Sequence, residues 1–327
     1  MQSMRDIVDY LNKCTVAYDK GEPIITDKEW DKIYFHLLDM EHHTGIVYPD
    51  SPTQVVHYET VSALNKVTHN HKMLSLEKTK DIDEIRNFVG KQDYLAMCKM
   101  DGLTCSLTYR DGRLVAAETR GNGIVGEDIL HNAMVIPSIP KRIKYQEELV
   151  VDGEIICKYD DFNEMFALTY RNPRNFAAGS IRLLNSKECA NRHLTYVAWD
   201  VLKGFDTLDL LMDKLIHLSG EHFTVVPWEK GEPEECVEKL KETAAVLNYP
   251  IDGCVFKFND VAYGQSLGET SHHFKNAMAY KFYDETYTSH LQDIEWTMGR
   301  TGVLTPVAVF DPIDMDGSTV ERASMHN

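Results

Sequence analysis

The sequence predicts an α+β protein in three parts, and three observations carry that prediction. Apolar residues fall at helical spacing near the N-terminus. Short β-branched and aromatic strands, interrupted by four helices, fill the middle. Two further strands follow Tyr287. In the first part, Ile7, Tyr10, Leu11 and Cys14 share a helix face, and Asp27 caps a second helix reaching Leu38. Pro23 breaks the chain between them, and Pro49-Asp50-Ser51-Pro52 marks an exposed exit, giving a helical domain over residues 1–66. From 67 to 288, helices are expected near 81–90, 159–169, 208–220 and 232–246 among largely antiparallel strands. Strands at 290–298 and 303–310 then open a third domain, 289–327.

The middle part holds the candidate chemistry. An apolar strand, Tyr94-Leu95-Ala96-Met97-Cys98, ends at Lys99-Met100-Asp101-Gly102. A hairpin follows from Leu103 to Arg110, turning at Asp111-Gly112 and returning through Thr119. A lysine fixed at a strand end and partly shielded from water is a plausible amine nucleophile, with Gly102 allowing a nucleotide to approach closely. A free lysine has a pKa near ~10.4, so neutrality around pH 7.5 needs roughly 4 kcal/mol of local perturbation. Read alone, Lys99 is equally a surface lysine before an Asp-Gly turn.

The surroundings change that reading. After the hairpin comes Thr119-Arg120-Gly121-Asn122-Gly123-Ile124-Val125-Gly126-Glu127-Asp128, then a strand carrying Asp152-Gly153-Glu154 amid apolar neighbours. Asn172-Pro173-Arg174-Asn175, continuing to Arg182, follows, and then Ile251-Asp252-Gly253-Cys254-Val255-Phe256-Lys257 and Ala279-Tyr280-Lys281-Phe282. In this order and spacing the segments resemble the nucleotidyltransferase domain of NAD-dependent DNA ligases, over essentially the whole chain. The glycine-rich arginine loop, the Asn-Pro-Arg-Asn segment and Gly299-Arg300-Thr301-Gly302 are the most specific parts.

The resemblance implies a helical domain binding nicotinamide mononucleotide, an ATP-grasp-like ligase domain of antiparallel sheets with flanking helices, and the opening strands of an oligonucleotide-binding (OB) barrel. It implies that Lys99 attacks the α-phosphorus of NAD, with Arg120, Lys257 and Lys281 as cationic neighbours favouring a neutral amine and neutralising phosphate. Asp101 would orient Lys99 or sit near the reacting phosphate, or simply begin a tight turn. Glu154 would accept a ribose hydroxyl, or pair with an internal arginine. Trp199 and Val255 would sandwich adenine, with Ser75 and Leu76 lining its pocket and Asp252 near Mg²⁺. Arg174 and Arg182 would face the DNA nick, Arg182 being equally readable as a helix-surface charge. Tyr18, Asp27, Trp30 and Asp31 would bind the nicotinamide half, since π faces and carboxylates favour a cationic ring. A helix cap at Asp27 and a core anchor at Trp30 explain those two without a ligand.

Four departures stand out. Ala17 replaces a usual tyrosine, Met97 replaces a glutamate that reads the adenine amino group, Ala244 falls near a usual arginine, and Asn122 replaces an acid. They imply a divergent enzyme with weaker cofactor binding.

Bulk composition sets limits. With 327 residues and 43% hydrophobic content the chain can bury two cores and part of a third. No apolar run reaches membrane-spanning length, and there is no signal-peptide pattern. Seven cysteines without a C-x-x-C pair point to a reducing, intracellular, cytoplasmic setting. The net charge of −17 sits awkwardly with DNA binding. An unfinished barrel and missing zinc, helix-hairpin-helix and terminal domains imply that sealing nicked double-stranded DNA needs more protein, on a second subunit or in a longer chain. Two other functions remain open at this point: an ATP-dependent polynucleotide ligase or capping-type nucleotidyltransferase, and a non-catalytic NAD-binding assembly subunit.

Overall fold

The computed structural model describes residues 3–19, 24–25, 27–48, 50–53, 63–170, 172–270, 273–282, 288–298, 304–315 and 318–325. Contacts divide the chain into two compact units, 1–59 and 60–327. The first contains α1 (Met4–Asp19) and α2 (Asp27–Thr44). Ile7, Val8 and Leu11 of α1 pack with Leu37 of α2, so the helical periodicity marks the buried face. Buried Glu41 accepts hydrogen bonds from Ser51 Oγ at 2.6 Å and from Thr53, which ties the chain leaving α2 back onto it.

The second unit begins with β1 (Lys66–Thr68), β2 (Ser75–Thr79), α3 (Ile82–Val89), β3 (Tyr94–Met100), β4 (Leu103–Arg110), β5 (Arg113–Thr119), β6 (Val125–Glu127) and α4 (Leu130–Ala133). It continues through β7 (Leu149–Cys157), α5 (Tyr159–Met165), α6 (Pro173–Ser180), α7 (Ser186–Ala190), β8 (Leu194–Lys203), α8 (Leu211–Gly220), β9 (Trp228–Glu229), α9 (Pro233–Leu247), β10 (Ile251–Phe258), α10 (Val261–Ser266) and β11 (His273–Lys281). The last strands are β12 (Leu291–Met298), β13 (Leu304–Met315) and β14 (Ser318–Ser324). Lys66 pairs with Glu127 in the β1–β6 ladder, so the second unit starts before residue 67.

Two sheets frame the centre. One is antiparallel, in the order β5-β4-β7-β8; the other runs β2-β11-β10-β3-β9 and is antiparallel except for the parallel β2–β11 pair. A single apolar core joins them, with Leu95, Cys254 and Phe256 from one and Leu107, Val151 and Tyr196 from the other. Local chemistry sets the joints. The β4–β5 turn places Asp111 and Gly112 at φ of 50° and 70°, the left-handed pair a two-residue hairpin needs. Asn172 caps α6 by accepting from Asn175 N at 2.7 Å, with Pro173 in the first turn where a missing N–H costs nothing. β12, β13 and β14 form a separate antiparallel sheet. Among the described residues no helix is long and apolar enough to cross a membrane.

Candidate active site

A cleft of about 550 Å³ opens among residues of the two central sheets, within the size range of small-ligand sites. Lys99 lies on β3, opposite Gly253 of β10, with its side chain about one-fifth exposed. It is the penultimate residue of the strand, where pairing with β10 fixes its backbone. Lys99 Nζ donates to both carboxylate oxygens of Asp252, at 2.8 and 3.1 Å, and Lys281 Nζ lies 3.2 Å from the same group. Lys257, on β10, pairs with Asp200 of β8 across the two sheets.

This differs from the expected bare cationic surround: each lysine has a carboxylate opposite it. The reason is that a half-buried ammonium without a counter-charge is costly, and Asp200 and Asp252 supply that charge. Asp252, expected near Mg²⁺, is held by two ammonium groups. Among the described residues no three His, Cys, Asp or Glu side chains gather to bind a metal. The side chains present do not form a magnesium site by themselves.

Asp101 accepts from Arg174 at 2.9 Å, and burial raises its pKa despite that arginine. Glu154 of β7 accepts a hydrogen bond from Thr104, but burial outweighs it and lifts the carboxyl to about 7. Ser75, Leu76, Met97, Trp199 and Val255 also line the cleft. A second cleft of about 420 Å³ shares Arg120, Glu154 and Arg174 with the first and adds Arg182. Arg182 lies just beyond α6, paired at 2.6 Å with Glu127 of β6, so it is tied to the glycine-rich loop and is not a bare surface charge.

The glycines stand where backbone meets backbone. A Cβ on Gly102 would stand 2.1 Å from the Ile155 carbonyl oxygen, and one on Gly121 would stand 2.0 Å from that of Val125. They permit backbone to pack on backbone, and both also line the second cleft. Asn122 accepts from the N–H groups of Ile124 and Val125 at 3.0 and 2.8 Å, which closes this loop. His69 Nε2 bonds the Arg120 carbonyl at 3.0 Å, anchoring its exit. Ala244 is buried in α9, a packing position. The side chains of Ala17, Tyr18, Asp27, Trp30 and Asp31 lie outside the described residues.

Three site residues escaped the sequence reading: Asp200, Asp152 and His71. His71 Nε2 bonds Asp152 Oδ2 at 3.1 Å, and Asp152 and Asp200 line the first cleft. Burial works against the charged imidazole, but the bond and charge of Asp152 raise its pKa. Alternation from Glu154 would have put Asp152 on the same face of β7, the one signal available.

With this geometry in hand, comparison with known proteins is decisive. The profile of the NAD-dependent DNA ligase adenylation domain matches residues 61–285, and that of the NAD-dependent DNA ligase OB-fold domain matches 288–327. The chain belongs to the NAD-dependent DNA ligase family. Among similar ligases, a DNA ligase of Lachnoclostridium phytofermentans is 39% identical over 338 residues, covering 100% of this chain and 52% of that protein. One from Ruminiclostridium cellulolyticum is 38% identical over 340 residues, with the same shares. The chain thus spans about half the length of these ligase relatives. A solved structure titled as a structure-function analysis of Lig E DNA ligases aligns with 79% of this chain and 84% of that one, at a TM-score of 0.46 and 12% identity.

Proposed function

We propose that this chain carries out the self-adenylation step of an NAD-dependent DNA ligase. NAD is the substrate: Lys99 Nζ bonds to its α-phosphorus while the bond to nicotinamide mononucleotide breaks. The departing phosphate leaves with the bonding pair, and AMP stays on the lysine. Asp252, already bonded to Lys99, is the group in position to take the proton the amine must lose. Lys257 and Lys281 face the phosphates and stabilise the charge that develops on them. Glu154 meets the ribose, Trp199 and Val255 flank adenine, and Ser75 and Leu76 close the pocket. Asp101 acts through Arg174. Tyr18, Asp27, Trp30 and Asp31 of the helical unit take the nicotinamide mononucleotide half.

The adenylate then passes to the 5′-phosphate of nicked DNA, which Arg120, Arg174 and Arg182 of the second cleft receive. Mg²⁺ accompanies the phosphates. Sealing draws on the portion of the ligase architecture that this chain does not span, and the setting is intracellular.

The observation that carries this reading is Lys99 hydrogen-bonded to Asp252 in a cleft that also holds Lys257, Lys281 and Glu154. Intact mass after incubation with NAD and Mg²⁺, and separately with ATP, tests it. Adenylate gained from NAD, and lost in Lys99→Ala, is the expected result. Label retained from ATP alone overturns it.

A further inference from the structure

Asp152 is a carboxylate that the reaction above does not use. It sits on β7, is 3% exposed, and lines the first cleft. Its Oδ2 is taken by His71, whereas Oδ1 is buried without any hydrogen-bond partner. A buried, unpaired carboxylate oxygen is costly, and a ligand donor would relieve that cost. Asp152 and Glu154 project from the same face of one strand, about 7 Å apart. That spacing suits a nucleoside whose sugar hydroxyl meets Glu154 and whose base edge reaches Asp152. Trp199 adjoins the partner of Asp152 in the ladder, Asp200, so an aromatic platform stands beside the same point. Met97, on β3, lines the cleft with a thioether, a poor acceptor for an amino group.

We propose that Asp152 Oδ1 accepts a hydrogen bond from the exocyclic 6-amino group of the bound adenine, making Asp152 the residue that selects adenine over 6-oxopurines. The inference rests on the reading that this cleft takes the adenosine half of NAD. A carboxylate can only accept, so a 6-oxo group would meet it acceptor to acceptor and leave both unpaired. An amide at this position has a donor for the 6-oxo group and can still accept from His71.

The test is calorimetric binding of AMP and IMP to the full chain, for wild type, Asp152→Asn and Asp152→Ala, beside the NAD adenylation assay. Wild type should prefer AMP by about 10- to 100-fold. Asp152→Ala should bring the two ligands within about threefold, and Asp152→Asn should favour IMP. Because each protein supplies its own ratio, a variant with a reduced folded fraction still reports. An AMP preference unchanged in both variants, or no preference in wild type, overturns the proposal and leaves the adenylation reading standing. The predicted ratios in a protein that gains no adenylate from NAD would uphold Asp152 as the base selector and sink the adenylation reading instead.

Discussion

The two sheets that wall the cleft carry opposite charge. Lys99, Lys257 and Lys281 stand on the β2-β11-β10-β3-β9 sheet, whereas Asp152, Glu154 and Asp200 stand on the β5-β4-β7-β8 sheet. Asp252 is the exception, a carboxylate among the lysines that is shared by two of them. A dinucleotide suits this polarity, with phosphates toward the cationic wall and sugar and base donors toward the acidic one. On the proposed reading, a net charge of −17 is compatible with phosphate at the cationic wall. The local field in a low-dielectric cleft decides, not the sum over the surface.

Removing Lys99 from the cationic wall should have the largest effect. Lys99→Ala should abolish adenylate gain by intact mass, while Lys281→Ala should slow it by about 100-fold, the scale of losing one transition-state contact. Any adenylate on Lys99→Ala would place the nucleophile elsewhere. Next comes the ion pair joining the walls. Asp200→Asn leaves Lys257, only 13% exposed, without its counter-charge and should cost about 3 kcal/mol in urea denaturation. Breaking the more exposed Lys203–Glu148 pair by Lys203→Ala should cost less than about 1 kcal/mol. Equal losses would erase the distinction between a cross-sheet strut and a surface pair.

A pH series sharpens the acidic wall. Burial raises the folded-state pKa of Glu154 to about 7, above its unfolded value, so its neutral form favours the fold. That contribution is complete at acid pH, falls as pH rises out of the ordinary carboxyl range, and is gone above about 7. Glu154→Gln should flatten this segment of the stability profile, read as the urea midpoint against pH. The smallest effect belongs to the loop at the edge of both clefts. Asn122→Ala loses two bonds to backbone N–H groups and should lower stability by about 1 kcal/mol, measured by thermal melting.

Much of this fold was legible because it is written locally. The helical face of α1, the helix expected near 81–90 and the Asp111-Gly112 turn each follow from a few adjacent residues, whereas α6, opened by Asn172-Pro173, was not among the expected helices. β14 was missed because Ser-Thr-Val-Glu-Arg-Ala-Ser lacks a clear apolar alternation, and β1 and β6 because three residues carry no period. Within the site, Lys99 could be read from its strand, but its partner Asp252 lies 153 positions away. The pairing of Lys257 with Asp200 likewise depends on how two sheets meet, which no spacing within either strand reports.

Gly102 has one more consequence. The main chain three residues beyond Lys99 rests directly on the carbonyl of Ile155, the residue after Glu154, at a separation that a methyl group would abolish. The spacing between the chain leaving Lys99 and the strand of Glu154 is therefore set at this point by peptide rather than by side chains. Repacking the surrounding core leaves this backbone contact in place, whereas Gly102→Ala would force the two segments apart there.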